Sequence, residues 1–351
     1  MSDDVREQVQ PTPPLPMDEA QVELKALDFE PGDNGIWSGA LDCGEYGVFP
    51  VELRLPADFP GSLPEIVVER SALPRRIPHV ERSGKICVAP ATGVLIDAAN
   101  PRGVIAETLE RARDALVKGL SGANDADFKN EFLAYWGVGA KGILWSVCKA
   151  SGQSRPIKQA SIVRTRRDKD AVLLLADNSG EAQTWASKMG RRVARQEEAF
   201  FVELHSAFIP PDFEEKMSTA DVMEIIRKHS ASQSVGELKD WLAGQHLPTT
   251  IVMSIPLDDL NAGRVMIAVR LEQAVGELAR RARKGFRAGH VPADLEMRFT
   301  RDVPVTKFHI ERFDADYLLT RGGATADFLR KRWLLSAAGR STRMWPSTSH
   351  R

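Results

Sequence analysis

The alternation of apolar and polar residues predicts strands near the start of the chain and helices further on. Residues 48–55 alternate with a period of two, which predicts a β-strand with one buried face. Residues 35–41 and 65–69 predict two further strands, and Gly- and Pro-rich turns between them favour an antiparallel meander. An amphipathic helix is predicted to begin near Asp18, and after Pro101 apolar residues recur at helical spacing.

This order of elements predicts an α+β domain over residues 17–150, after a polar, proline-rich lead-in at residues 1–16 that we expect to be disordered. A second α+β domain is expected over residues 151–325, and residues 326–351 are interpreted as a basic tail. In the second domain a capping box at Ser234–Glu237 predicts a helix start. Its other predicted elements are strands at residues 171–175, 200–204, 249–255, 265–269 and 308–310 and a helix at residues 219–228.

Composition narrows the class of protein. A length of 351 residues favours two domains. Hydrophobic content of 43% and charged content of 27% exclude collagen-like, coiled-coil and wholly disordered chains. A formal net charge of −1 gives no overall attraction to nucleic acid or to an anionic membrane.

Location follows from what the chain does not show. No apolar stretch approaches the roughly 20 residues of a membrane-spanning helix, and the acidic start lacks the pattern of a secretory signal. Cys43, Cys87 and Cys148 are too few and too scattered for a disulfide framework or a zinc cluster. We therefore expect a cytoplasmic protein with free thiols.

The candidate chemistry is concentrated in an irregular stretch that ends at Cys87. A proline-rich turn at Phe59–Pro64 begins it, Pro78 and His79 follow, and the segment Gly84–Cys87 closes it. Long loops inside a compact domain are often functional. A lone cysteine is more often a small buried hydrophobic residue, so the functional interpretation of Cys87 depends on its position.

In the order and spacing of these motifs, the sequence resembles the ubiquitin-conjugating enzyme (UBC) family. Phe59–Pro64 is similar to the family's Tyr-Pro-x-x-Pro-Pro turn, and Gly84–Cys87 matches its Gly-x-Ile-Cys active-site entry. Pro78 and His79 stand at the places of Pro and Asn in its His-Pro-Asn tripeptide. The resemblance covers residues 17–150 and implies a UBC-like fold that carries a protein C-terminus as a thioester on the cysteine.

The resemblance also implies roles for four residues. Cys87 is the expected nucleophile, since a thiolate exchanges thioesters readily. His79 replaces the family's Asn and either donates a hydrogen bond to the oxyanion or braces the loop. The family's Trp after the cysteine is missing, and Asp97 and Asn100 in that region either orient an incoming lysine or serve as turn and helix-cap residues. No cofactor or metal is expected, because the activating enzyme uses the ATP.

Two later segments resemble bacterial proteins that fuse a UBC-like domain, a linker domain and a ThiF-like ubiquitin-activating adenylation domain. Phe132–Trp136 resembles the helix that closes their conjugating domain, and Arg312–Arg321 resembles the stretch before their adenylation domain. Such fusions accompany cyclic-oligonucleotide antiphage signalling and attach a nucleotidyltransferase to targets through its C-terminus. The implied partners are a ThiF-like activating enzyme and a ubiquitin-like protein or nucleotidyltransferase C-terminus, with neither membrane nor nucleic acid.

The chain contains no adenylation domain, which leaves alternatives open. The tail is either a natural basic tail or an out-of-frame remnant, since codons permitted for Ala337–Ser341 also encode Gly-Cys-Gly-Ser-Val in the frame one nucleotide earlier. That alternative contains the Gly-x-Gly opening of a nucleotide-binding domain. A rival interpretation, supported by loss of the family's Asn and Trp, is a non-catalytic UBC-fold interaction module or a truncated remnant.

Overall fold

The chain divides into two compact units, unit 1 at Met1–Phe128 and unit 2 at Lys129–Arg351. Both combine helices with sheets, so the α+β class is confirmed. The predicted tail at 326–351 and all of the predicted lead-in except Pro16 lie outside the described residues. The computed structural model describes residues 16–89, 94–165, 171–212, 215–257, 263–275, 278, 281, 284 and 303–314.

Unit 1 packs helices against a four-stranded sheet. The strands follow chain order across the sheet, and each neighbouring pair is antiparallel. In β3, burial alternates at every residue, with Phe49, Val51 and Leu53 facing the core. Its elements are α1 (Pro16–Ala26), β1 (Glu30–Pro31), β2 (Ile36–Asp42), β3 (Val48–Arg54), β4 (Glu65–Val68) and α2 (Pro101–Ser121), with short 3-10 helices at Asp33–Gly35, Gly44–Tyr46 and Arg70–Ala72.

Local sequence fixes both ends of α2. The Asn100 side chain caps its first turn, and Pro101 stands at the start of the helix, where a missing N–H costs nothing. The helix ends at Gly122, whose φ of 77° is the left-handed conformation that glycine adopts most easily. Near this end, Gly119 leaves room for Ile77, because a Cβ at Gly119 would lie 2.6 Å from the Ile77 Cβ. The loop before the cysteine is thereby docked on α2.

Unit 2 is built around a closed seven-stranded barrel with the strand order β10-β11-β5-β7-β6-β8-β9. Helix α3 (Asp127–Asn130) crosses the boundary between the units. The remaining elements are α4 (Phe132–Gly137), β5 (Ile143–Ser146), β6 (Arg155–Val163), β7 (Val172–Ala176), α5 (Ser179–Lys188), β8 (Arg192–Glu203), α6 (Thr219–His229), α7 (Ser232–Ala243), β9 (Thr249–Pro256), β10 (Arg264–Leu271) and β11 (Val305–Arg312).

Part of β8 and most of β9 are buried on both faces. In β8, Phe201 belongs to the cluster that fills the barrel with Leu144, Ile157 and Val252. The preceding Phe200 belongs to a second cluster, which contains residues of α4, α6 and α7. Strands covered on both faces have continuous rather than alternating apolar runs, which explains the stretch at residues 199–202.

The structure corrects two predictions. The boundary expected at residue 150 lies between Phe128 and Lys129, because Ile143–Ser146 forms a barrel strand that pairs in parallel with β11 and β7. The capping box expected at Ser234 is wrong, since α7 begins at Ser232 after an Ala231 N-cap without a side-chain hydrogen bond. The structure instead has a capping box at the start of α6, between Ser218 and Asp221. Among the described helices, none combines the length and the apolar character needed to cross a membrane.

Candidate active site

Cys87 lies at the end of a short hairpin, residues 80–86, which follows the loop from β4. The two arms meet in an antiparallel bridge between Val80 and Ile86. The Cys87 N–H donates to the carbonyl oxygen of His79 at 2.7 Å. Ile86 is 1% exposed and faces the core, whereas Cys87 is exposed. Since successive side chains of an extended segment point to opposite faces, burial of Ile86 directs the Cys87 thiol to solvent.

The hairpin turns at Gly84, where no other residue fits. Gly84 has a φ of +84°, and a Cβ there would lie 2.1 Å from the carbonyl oxygen of Val68. The close approach arises because the Val68 N–H donates to the Gly84 carbonyl oxygen at 2.9 Å. Two residues along, the Ile86 N–H donates to the Ile66 carbonyl oxygen at 2.8 Å. The glycine of the Gly-x-Ile-Cys motif therefore seats the hairpin on strand β4.

His79 is held through both its backbone and its ring. Its φ of +62° places it in the left-handed region, where His and Asn are among the better tolerated residues. Its Nε2 lies 3.0 Å from Oδ2 of Asp127. An ionised carboxylate only accepts hydrogen bonds, so Nε2 donates in this pair. The carboxylate of Asp127 holds the His79 ring, and the backbone carbonyl of His79 accepts from the Cys87 N–H.

Two further contacts join the loop before His79 to the chain after α2. Arg75 pairs with Asp125 at 2.5 Å through both carboxylate oxygens, and the Arg76 guanidinium lies 4.5 Å from the centre of the Phe128 ring. The Arg75 contact is a charge-assisted hydrogen bond, a class stronger than bonds between neutral groups. We refer to these two contacts and the His79–Asp127 pair as the loop clamp. It fixes the backbone that positions Cys87.

Asp97 and Asn100 are engaged in local structure. The Asn100 Oδ1 accepts from the Gly103 N–H at 2.9 Å as the N-cap of α2. The Asp97 Oδ1 accepts from the Ala99 N–H at 3.1 Å within the preceding turn. Both side chains are exposed. These contacts match the capping and turn alternatives for the two residues.

The other two cysteines are in different surroundings. Cys43 is buried after β2, and burial, with a smaller contribution from Asp42, raises the pKa of its thiol. Cys148 is fully buried in the barrel cluster, and desolvation raises the pKa of its thiol strongly. A buried neutral thiol is a poor nucleophile. Cys87 is the exposed thiol of the three.

Sequence inspection did not identify Asp127 as part of the site. The residue is 48 positions from His79 along the chain, in the short helix after α2. Its signal is an acidic segment, Asn124–Asp127, directly after a helix end. Such segments are usually solvated turns, and only the fold brings this one to the loop before Cys87.

Two cavities of unit 2 are lined by described residues. One of about 520 Å³ is lined in part by Phe208, Met217 and His229, and one of about 350 Å³ in part by Glu203 and Arg264. Within the described residues, no group of three or more His, Cys, Asp and Glu side chains is placed to hold a metal ion.

Comparison with known families finds a match over the first part of the chain. Residues 25–143 match the model of a family described as prokaryotic E2 family B. This segment is therefore similar to a prokaryotic E2 domain, in agreement with the resemblance to ubiquitin-conjugating enzymes. No curated protein and no solved structure matches the chain. The matched segment includes Cys87, His79 and the acidic residues of the loop clamp, and E2-like domains as a class work with activating enzymes and ubiquitin-like proteins.

Proposed function

We propose that the E2-like domain is a transferase that carries a protein C-terminus as a thioester on Cys87 and passes it to an amine. The observation that carries this proposal is the exposed thiol of Cys87 at the end of a hairpin that is bonded to both β4 and His79. A nucleophilic thiol has to be reachable and held in one place. Both conditions are met by Cys87 and not by the buried Cys43 or Cys148.

Loading is a thioester exchange. The Cys87 thiolate attacks the carbonyl carbon of a thioester on the activating enzyme, and the activating enzyme's thiolate leaves. Because one carbon–sulfur bond replaces another, the acyl group stays activated and no metal is needed. A protein partner can reach the thiol only if the thiol lies at the surface. The burial of Ile86 meets this condition, because it turns the neighbouring Cys87 side chain outward.

Transfer is an aminolysis. An amine attacks the thioester carbonyl, a tetrahedral oxyanion forms, and the Cys87 thiolate leaves as the amide forms. A hydrogen-bond donor fixed near the carbonyl stabilises this oxyanion. His79 supports transfer in either of two ways, as donor or as the brace of the Cys87 backbone, and both depend on its bond to Asp127. We assign Asp127 as a positioning residue that acts through His79.

The partners follow from the resemblance to bacterial conjugating and activating fusions. A ThiF-like enzyme would load Cys87, and the carried chain would be a ubiquitin-like protein or the C-terminus of a nucleotidyltransferase, in antiphage signalling. The alternative, a non-catalytic interaction module, needs no accessible thiol. Exposure of Cys87 therefore favours the transferase.

A chemical donor tests loading without the natural partners. The full chain is mixed with a short glycine-ending peptide thioester of 2-mercaptoethanesulfonate, and adducts are located by mass spectrometry with and without reductant. We expect a reductant-labile peptide adduct on Cys87 that Cys87→Ala removes. Cys43→Ala serves as the matched control and should load like the unmodified chain. A labile adduct that persists in Cys87→Ala, or no adduct in any form, contradicts the proposal.

A further inference from the structure

We propose that Lys85 is a self-modification site, at which the acyl group carried by Cys87 is transferred within the chain, and that Glu65 limits this transfer. The inference rests on the proposed thioester on Cys87. It concerns the Lys85 amine, a group that neither loading of Cys87 nor transfer to an external amine uses.

Lys85 and Cys87 lie on the same side of the hairpin. Lys85 forms an antiparallel bridge with Val67, and Ile86 between them is buried at 1% exposure. Residues two apart in an extended segment point to the same face and are separated by roughly 7 Å along the strand. A lysine side chain spans this distance, so its amine can reach a carbonyl carbon bonded to the Cys87 sulfur.

Glu65 holds the amine on that face. The Lys85 Nζ lies 2.5 Å from Oε1 of Glu65, the first residue of β4. Val67 lies opposite Lys85 in an antiparallel bridge, and the next residue, Ile86, donates its N–H to the carbonyl oxygen of Ile66. One residue further along the same register, Glu65 lies opposite Cys87. An acid, an amine and a thiol therefore share one solvent-facing patch.

The charges around Lys85 favour its ammonium form. The hydrogen bond to Glu65 is the main cause that raises the pKa of Lys85. Burial acts against it, and the charges of Glu65 and Glu81 add to the rise. An ammonium has no lone pair and cannot attack a carbonyl. The pair with Glu65 therefore keeps the Lys85 amine in its unreactive form.

The suppression is incomplete because the pair is partly open to water. The Lys85 and Glu65 side chains are 38% and 45% exposed, and ion pairs of this kind are weak and open readily. When the pair opens and the amine is neutral, Nζ attacks the thioester carbon, the carbon–sulfur bond breaks, and Cys87 leaves as thiolate. The proton lost by nitrogen returns to the thiolate through water. The products are an amide on Lys85 and a free thiol on Cys87.

The peptide thioester of 2-mercaptoethanesulfonate tests this inference on the full chain. In the unmodified chain we expect a labile adduct on Cys87 and a slowly growing reductant-resistant adduct on Lys85. Glu65→Gln should raise the rate at which the resistant adduct appears several-fold, because the amine loses its carboxylate partner. Lys85→Arg should remove it. Glu52→Gln, which breaks the exposed pair with Arg54 on neighbouring strand β3, is the matched control and should leave the rate unchanged.

The outcomes separate this inference from the proposed function. If Cys87 is loaded but Glu65→Gln forms no more Lys85 adduct than Glu52→Gln, the inference is wrong and the transferase stands. If Lys85 is acylated equally in Cys87→Ala, the transfer does not pass through the thiol and the inference is also wrong. If Cys87 never forms the labile adduct, both fail.

Discussion

Cys87 in unit 1 and Cys148 in unit 2 are the same residue type in opposite surroundings, since the first is exposed and the second is buried. Cys148 lies in the barrel of unit 2 with no exposed surface, among residues such as Leu144 and Phe201. Cys87 lies on an irregular segment of unit 1, exposed and held by backbone hydrogen bonds and the loop clamp. Packing fixes the first and makes it inert, whereas polar contacts fix the second and leave its sulfur in water.

The difference indicates that stability depends mainly on the packing of the barrel, whereas the reactivity of Cys87 depends on the loop. In the barrel, each large side chain contributes through apolar surface removed from water, about 1.5–3 kcal/mol per buried residue. In the loop, the Arg75–Asp125 and His79–Asp127 pairs are partly open to water, and such pairs contribute about 0–1 kcal/mol each. Substitutions in the barrel should therefore change stability first, and substitutions in the loop clamp should change reactivity first.

The largest effect is expected from Phe201→Ala. Phe201 has no exposed surface and stacks under the Arg155 guanidinium at 4.3 Å. Its removal should lower the free energy of unfolding by about 3–5 kcal/mol and expose Cys148 to alkylation at lower denaturant concentration. Denaturant titration with residue-resolved alkylation measures both. Leu247→Ala, at a residue that is 64% exposed, is the control and should change stability little. Equal losses in the two variants would contradict the packing account.

A smaller effect is expected from Asn100→Ala. Loss of the cap on α2 should reduce the free energy of unfolding of unit 1 by about 1 kcal/mol. Thermal unfolding of the variant measures this loss. Asn100→Ser keeps a capping oxygen and should restore most of the loss. If Asn100→Ser is stable yet transfers the peptide to lysine much more slowly, the residue acts on the substrate rather than on the helix.

The smallest effect on stability is expected from Asp127→Asn, which should instead change the rate of transfer from Cys87 to lysine. The pair with His79 is partly open to water, with side chains that are 23% and 34% exposed, and it contributes less than about 1 kcal/mol to folding. Loading of Cys87 should persist, while transfer to free lysine should slow several-fold, because the ring of His79 exchanges a charged carboxylate acceptor for a weaker neutral amide. Asp125→Asn, which weakens only the Arg75 contact of the clamp, should slow transfer less. His79→Ala combined with Asp127→Asn should be no slower than His79→Ala alone if the two act as one unit, and additive losses would argue against positioning through His79.

The sequence predicted much of unit 1 and only parts of unit 2. The alternating pattern of β3 and the helical spacing of α2 are local signals, and both elements lie close to where the pattern placed them. Strand β6 was missed because Lys158, Gln159 and Ser161 interrupt its apolar residues. Barrel closure depends on the parallel pairs of β5 with β11 and of β8 with β9, which no local pattern specifies.

The site divides in the same way. Cys87 and His79 stand in motifs with a recognisable order along the chain. Asp127 and Glu65 do not, because their roles come from contacts with His79, 48 positions away, and with Lys85, 20 positions away. Asn100 was assigned both a capping and a substrate-orienting alternative, and the bond to the Gly103 N–H supports capping. Long-range polar contacts are set by the fold rather than by spacing.

The measurement that most directly tests the central claim is discharge of a preformed peptide thioester on Cys87 by free lysine. The full chain is loaded, freed of excess donor and divided between lysine and an equal concentration of arginine, which carries a side chain that stays protonated. We predict that lysine accelerates loss of the Cys87 adduct in proportion to its concentration and that acylated lysine appears in equal amount. Loss at the same rate in both samples, with only hydrolysed peptide as product, would contradict a transferase acting through Cys87.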